Sequence, residues 1–322
     1  MNSSKILITG AAGFIGYHLC KSFLEDKYEV LGIDNLNDYY DTNLKKARLE
    51  QLKQFKSFTF NKVDIADRES LSKSFQSFEP QKIVNLAAQP GVRYSIENPY
   101  KYMESNLVGF LNIIELCRNN KIKSFIYASS SSVYGGNKKM PYSVDDRVHQ
   151  PLALYGATKR ANELIAHSYS HLYGLHTTGL RYFTVYGSWY RPDMAMFIFT
   201  QKIMAGKPIP VFNNGNMKRD FTYIDDVIRG TRSAIEKNYK CEIFNLGNSK
   251  SESLMDLIGI IEKNLGKKAQ IEYLPMQPGD VKESLADIKK STEKLGYKPI
   301  TTINKGIPQF IKWYKEYYSV LI

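Results

Sequence analysis

The chain has 322 residues, 43% of them hydrophobic and 24% charged, an ordinary globular composition that suits two lobes or one large α/β domain. No apolar run approaches the roughly 20 residues of a membrane helix. The net charge of +12 is scattered in pairs such as Lys267-Lys268 and Lys289-Lys290 and never forms a block of five, so neither a nucleic-acid partner nor a membrane is expected. Met1 to Lys5 lead straight into a strand-like segment, so no signal peptide is expected. Cys20, Cys117 and Cys241 are odd in number and widely spaced. They fit neither a disulfide framework nor a zinc site, so a reduced cytoplasmic setting and no metal are expected.

The β-branched run Ile6-Leu7-Ile8-Thr9 ends in Gly10-Ala11-Ala12-Gly13-Phe14-Ile15-Gly16, followed by a helical pattern through Leu19, Phe23 and Leu24. Strand, glycine turn and helix together give the motif its meaning. Gly10 allows the tight turn, Gly13 lets the backbone approach a pyrophosphate, and Gly16 lets helix and strand pack closely. The helix N-terminus offers free N–H groups to the anion. Glu29 to Ile33 reads as the second strand, closed by Asp34, which lies 34 − 16 = 18 residues after the last glycine. An acidic residue near that spacing binds ribose hydroxyls and repels the extra phosphate of NADP, so the expected cofactor is NAD.

Further strands are expected at Phe58–Phe60, Ile83–Leu86 and Lys123–Ala128. Asp64-Ile65 closes the third strand, where it can meet the adenine. The small residues of Leu86-Ala87-Ala88 leave room for cofactor at the end of the fourth. Asn98-Pro99 opens a long helix through Cys117. The alternation predicts a doubly wound parallel, Rossmann-type α/β sheet with ligands at the carboxyl ends of its strands. The fifth strand ends at Ser129-Ser130-Ser131-Ser132, which is either a plain loop or a row of hydroxyls facing a substrate.

Tyr155-Gly156-Ala157-Thr158-Lys159 puts a tyrosine and a lysine on one helix face. A free phenol titrates near pH ~10, and a useful base at pH 7 needs about 3 units less, roughly 4 kcal/mol. A nearby ammonium and an oxidised nicotinamide ring are charges of the right sign. With 23 tyrosines in the chain, the spacing alone also describes a surface pair. Beyond about residue 180 the βα alternation loosens and turn-rich pieces such as Phe212-Asn213-Asn214-Gly215-Asn216 appear. The expected division is a dinucleotide-binding domain over 1–180 and, over 181–322, mainly a substrate lobe with strands returning to the first sheet.

The glycine turn, serine-rich strand end and Tyr-x-x-x-Lys, in that order, resemble the extended short-chain dehydrogenase/reductase superfamily along nearly the whole chain. Longer runs narrow the resemblance. They are Gly32-Ile33-Asp34-Asn35-Leu36-Asn37-Asp38-Tyr39-Tyr40, Gly91-Val92-Arg93-Tyr94-Ser95, Leu180 to Gly187, Arg191-Pro192-Asp193-Met194-Ala195, Lys218 to Asp226 and Gln277-Pro278-Gly279-Asp280-Val281. They are similar to NAD-dependent nucleotide-sugar epimerases, most closely UDP-glucuronate 4-epimerases.

The resemblance implies that Tyr155 takes the proton of the sugar 4-hydroxyl, that Ser130 bonds the 4-oxygen, and that Lys159 holds the nicotinamide ribose. Phe14, Ile15, Asn35, Asn106 and Tyr182 complete the implied cofactor set. For a UDP-sugar substrate it implies Arg191 and Arg219 on the diphosphate, with ion pairs to Asp193 or Asp220 as the plainer reading. It places Asp280 at the nucleotide ribose, Thr184 and Arg93 at a sugar carboxylate, and Ser131 and Val211 in the same pocket. It also implies a homodimer through the helices near 98–117 and 155–172. Related dehydratases carry Asp-Glu, and related decarboxylases a glutamate, where this chain has Ser131 and Ser132, so elimination and decarboxylation are not expected. The alternatives are epimerisation of UDP-glucose or UDP-N-acetylglucosamine, or a silent NAD-binding protein. The chain departs from the family pattern at Tyr17, Pro90, Ser188 and Tyr190.

Overall fold

The computed structural model describes residues 4–319. The strands, in chain order, are β1 (Lys5–Thr9), β2 (Glu29–Asp34), β3 (Phe58–Lys62), β4 (Lys82–Asn85), β5 (Phe125–Ser130), β6 (Thr177–Tyr182), β7 (Thr184–Tyr186), β8 (Ile209–Phe212), β9 (Lys218–Tyr223), β10 (Cys241–Leu246), β11 (Ser251–Ser253) and β12 (Ile271–Leu274). Seven of them form one parallel sheet in the order β10-β6-β5-β4-β1-β2-β3. Its interior strand β1 has an apolar middle because helices cover both faces of the sheet. Ile6, Leu7 and Ile8 are buried, and Leu7 stands level with Leu31 on one side and Ile83 on the other. The order reverses between β1 and β4, which opens a crevice at their carboxyl ends.

The structure moves several expected boundaries. β4 stops at Asn85, and Leu86 lies in the following loop. β3 runs only to Lys62, with Asp64 in the turn beyond it. β5 continues through two of the four serines, because Ser129 and Ser130 pair in register with Arg181 and Tyr182. The strand can run on because the Ser129 hydroxyl finds a buried acceptor, Glu163 Oε1 at 2.6 Å.

The long helix after Asn98 is interrupted. Pro99–Tyr102 and Gly109–Asn119 are α-helical, and Met103–Val108 between them is a π-turn. Such turns alter the i→i−4 ladder and recur at functional sites. Here the Asn106 carbonyl accepts Nδ2 of Asn162, at 2.7 Å, from the neighbouring helix Leu154–Tyr173.

The C-terminal half builds a three-stranded sheet, β11-β9-β7, and a parallel pair, β12-β8. It also returns β10 to the edge of the large sheet beside β6. Among the described residues no helix is long and apolar enough to cross a membrane.

Candidate active site

One cavity lies at the carboxyl end of the large sheet. It brings together Gly10, Gly13, Phe14, Ile15 and Gly16 from the first turn, Asp34 and Asn35 after β2, Asp64 and Ile65 after β3, and Leu86, Ala87 and Ala88 after β4. Ser130, Tyr155, Lys159, Tyr182 and Arg191 complete the same wall.

The glycine turn is sterically committed. A Cβ on Gly16 would lie 2.0 Å from the Gly10 carbonyl oxygen, and one on Gly10, whose φ is +71°, would lie 2.9 Å from Ala87 N. The helix Phe14–Glu25 starts at Gly13 with no side-chain cap and no acidic residue in its first turn. Its free N–H groups therefore suit an anion. Asp34 is held by the amides of Ala12, at 3.1 Å to Oδ2, and Leu36, at 2.8 Å to Oδ1. These features fit the pyrophosphate and ribose of a dinucleotide.

At the other end, the Ser130 hydroxyl accepts the Ser132 amide at 3.1 Å, and the Ser130 side chain lies near enough to the Tyr155 phenol to favour its ionised form. The expected Tyr155–Lys159 charge coupling is not what the fold builds. Burial raises the phenol above its usual value, and the Ser130 bond and the Arg191 charge offset only part of that rise. The Lys159 ammonium instead donates to the Ala128 carbonyl at 2.9 Å, and burial lowers it to about 8. It is charged below that pH and neutral above it. Turnover that depends on the ammonium is therefore expected to fall as pH rises through about 8, which a pH profile of kcat/KM reads directly. A flat profile to pH 10 would remove the charge of Lys159 from the reaction.

Beneath the serines, Glu163 Oε1 accepts the Ser129 hydroxyl and Arg181 Nε at 2.6 and 2.8 Å. Its Oε2 accepts Arg181 and Arg160 at 2.9 and 2.8 Å. Tyr155, Lys159 and Glu163 form one stripe at four-residue spacing, so the helix that carries the tyrosine is pinned to β5 and β6 from below.

The remaining expected residues lie elsewhere. Asn106 is buried behind the wall, where its side chain holds the Gln89 amide at 2.7 Å and carbonyl at 3.1 Å. Thr184 is outside the lining although its neighbours Phe183 and Val185 belong to it. Val211 has its side chain fully buried in the core, so only its main chain can meet a ligand. Ser131 begins the short 3-10 turn after β5. Arg93 is exposed, its guanidinium 5.4 Å from the Phe212 ring centre. Arg219 pairs with Asp280 at 2.7 Å and bonds the carbonyls of Lys218 and Lys282, rather than Asp220. Arg191 pairs with Asp193, which also accepts the Tyr39 hydroxyl at 3.2 Å.

Sequence reasoning missed Lys45 and Met194 as lining residues. Lys45 sits on the helix Thr42–Lys53, on the inward face that Leu44, Leu49 and Leu52 mark, where a charged side chain is not expected. No cluster of three or more His, Cys, Asp or Glu capable of holding a metal occurs among the described residues.

The profile of the NAD-dependent epimerase/dehydratase family matches residues 6–247. UDP-glucuronate 4-epimerase 4 of Arabidopsis thaliana is 44% identical over 336 residues, covering 99% of this chain and 77% of the plant protein. The crystal structure of UDP-glucuronic acid 4-epimerase from Bacillus cereus in complex with UDP-glucuronic acid and NAD has a TM-score of 0.92 at 38% identity, covering 98% of this chain and all of that one. UDP-glucose 4-epimerase from Thermotoga maritima, solved with UDP-glucose, has a TM-score of 0.90 at 30% identity, with 97% and 99% covered.

Proposed function

The chain belongs to the NAD-dependent epimerase/dehydratase family and is a nucleotide-sugar 4-epimerase, and from that premise we propose that its substrate pair is UDP-glucuronate and UDP-galacturonate. The observation that carries this reading is likeness from end to end, at 44% and 38% identity, to proteins named for that sugar. It is supported by Ser131 and Ser132, which leave the sugar without the adjacent carboxylates that elimination or decarboxylation would use.

NAD held in the cavity supplies the acceptor, and then the donor, of the hydride at sugar carbon 4. Gly10, Gly13 and Gly16 with the amides of Phe14 and Ile15 cradle its pyrophosphate. Asp34 and Asn35 take the adenosine ribose, Asp64 and Ile65 the adenine, and Leu86 to Ala88 with Tyr182 leave the space beyond. As the tyrosinate, which the positive charge of an oxidised nicotinamide ring would favour, Tyr155 accepts the proton of the 4-hydroxyl, Ser130 bonds the 4-oxygen and helps relay that proton, and Lys159 would orient the nicotinamide ribose. The same two hydroxyls return the proton once the ketone has turned its other face.

Arg191 and Arg219 meet the diphosphate, Asp280 and the Val211 main chain the nucleoside, and Thr184, Ser131 and Arg93 the sugar carboxylate. Thr184→Asn is accordingly expected to lower UDP-glucuronate turnover about tenfold, as loss of one such hydrogen bond implies. An unchanged rate would remove Thr184 from this role.

The test of the reading is anion-exchange separation of products after incubation with UDP-glucuronate. A UDP-galacturonate peak is expected. Turnover of UDP-glucose or UDP-N-acetylglucosamine alone would favour the neutral-sugar reading, which the likeness to the Thermotoga maritima enzyme keeps in view.

The chain acts as a cytoplasmic homodimer in this reading. Its apolar side chains Tyr100, Met103, Leu111, Leu164 and Leu172 are 80, 43, 43, 53 and 66% exposed on the two long helices, an area suited to a copy of itself. Leu164→Glu is expected to halve the mass seen by light scattering. An unaltered dimer would move the interface elsewhere.

A further inference from the structure

The loop after β7, Ser188 to Asp193, belongs to the C-terminal half, yet three side chains of the dinucleotide half tie it down. His18 Nε2, on the helix that follows the glycine turn, lies 2.9 Å from the Ser188 carbonyl oxygen. Arg48 donates to the carbonyls of Trp189, at 2.6 Å, and Tyr190, at 3.4 Å. The Tyr39 hydroxyl donates to Asp193. Arg48 is completely buried and spans furthest, since its other amino group reaches the Ala12 carbonyl inside the glycine turn and the Tyr40 hydroxyl, both at 2.8 Å. One guanidinium thus joins three segments, and each of the three contributes lining residues to the same cavity.

Two further features single out this junction. Trp189 has a φ of +60°, a left-handed conformation that a bulky residue adopts only when its surroundings impose it. Tyr17, Trp313 and Tyr317 pack around its ring, at centroid distances of 5.4, 5.5 and 5.3 Å. Three of the four departures from the family pattern also meet here. Tyr17 packs on Trp189, Ser188 supplies the carbonyl to His18, and Tyr190 packs edge-on against Phe14 of the first turn at 5.1 Å. The bulk of Tyr190 is therefore spent on this seam, and its ring is buried. Arg48 and Lys45 bond only neutral acceptors among the described residues. Asp34 acts on both cations through space without bonding either.

We propose that Ser188–Asp193 is a strap across the dinucleotide cavity and that Arg48 is the positioning residue that anchors it, so that NAD is retained between turnovers. The proposal rests on the NAD reading above, and a parent protein that binds no NAD at all would instead sink that reading. Exchange of bound NAD against isotopically labelled NAD after dilution measures it directly. Arg48→Met is expected to exchange at least tenfold faster than the parent. Its turnover without added cofactor should drop, and saturating NAD should restore it. A purely structural role would lower the thermal midpoint without changing exchange well below it, and that result overturns the proposal. His18→Phe, which keeps the ring and removes only the Ser188 bond, decides the matter if Arg48→Met does not fold. Exchange at least threefold faster supports the strap, and parental exchange overturns it. Both tryptophans of the chain, Trp189 and Trp313, lie at this seam, so loosening is also expected to shift intrinsic fluorescence in the same variants.

Discussion

Tyr155→Phe is expected to lower turnover about a thousandfold, which corresponds to about 4 kcal/mol of transition-state stabilisation. The substitution removes one oxygen and leaves the ring, whose edge-on contact with Tyr102 at 6.2 Å remains. The fold and the glycine turn are untouched, so NAD content after acid extraction should match the parent. The size of the effect follows from what the oxygen does. In the proposed reaction it is the proton acceptor for the 4-hydroxyl, and Ser130 only helps relay that proton. A variant within tenfold of the parent would show that another group, Ser130 first, carries the proton transfer.

Arg181→Met is expected to cost about 3–5 kcal/mol of stability, the range measured when one member of a buried ion pair is removed. That is a fifth or more of the total of a small-to-medium domain, about 5–15 kcal/mol. Arg181 and Glu163 are both buried, and the pair is bidentate. Methionine fills similar space but takes the buried guanidinium from a carboxylate that also holds Ser129, leaving it only the partly exposed Arg160 as counter-charge. Glu163→Gln in the same chain removes the stranded charge while keeping an acceptor for Ser129, so the double variant should regain about half of the loss. Urea denaturation of the three proteins checks this, and a single-variant cost below about 1 kcal/mol would refute it.

The sign of the pH dependence is fixed as well. Burial alone would raise the Glu163 carboxyl, but the paired guanidinium and the Ser129 hydroxyl bring it below the usual range. Its contribution is present above the ordinary glutamate range and lost as pH falls through the depressed value. The gap between parent and Arg181→Met should therefore narrow in acid.

Much of the fold was legible along the chain. Ile6 to Thr9 with the glycine turn, and the later apolar runs, announce a parallel sheet, because strands buried on both faces need continuous apolar sequence. The cofactor end of the cavity was legible for a related reason. Its parts are main-chain amides and glycines at the ends of strands, so Gly10, Gly13, Gly16, Asp34 and Ala87 follow from local pattern. The substrate end was less so. Arg219 pairs with Asp280, 61 residues away, and Arg191 with its near neighbour Asp193, and no spacing rule tells those outcomes from phosphate binding.

The sequence by itself determined the alternation of strands and helices, the dinucleotide turn and the tyrosine–lysine face, because each of these is set within about ten residues by periodicity and steric need. Tertiary structure alone decided where long polar side chains end. Arg48 and Lys45 fall on the leucine face of the helix Thr42–Lys53, and packing carries Lys45 into the cavity wall and buries Arg48 behind it. Lys159 likewise donates a hydrogen bond to the Ala128 carbonyl on β5. A flexible chain of four carbons can reach several acceptors, and which one it takes depends on elements distant in sequence that burial brings within 3 Å.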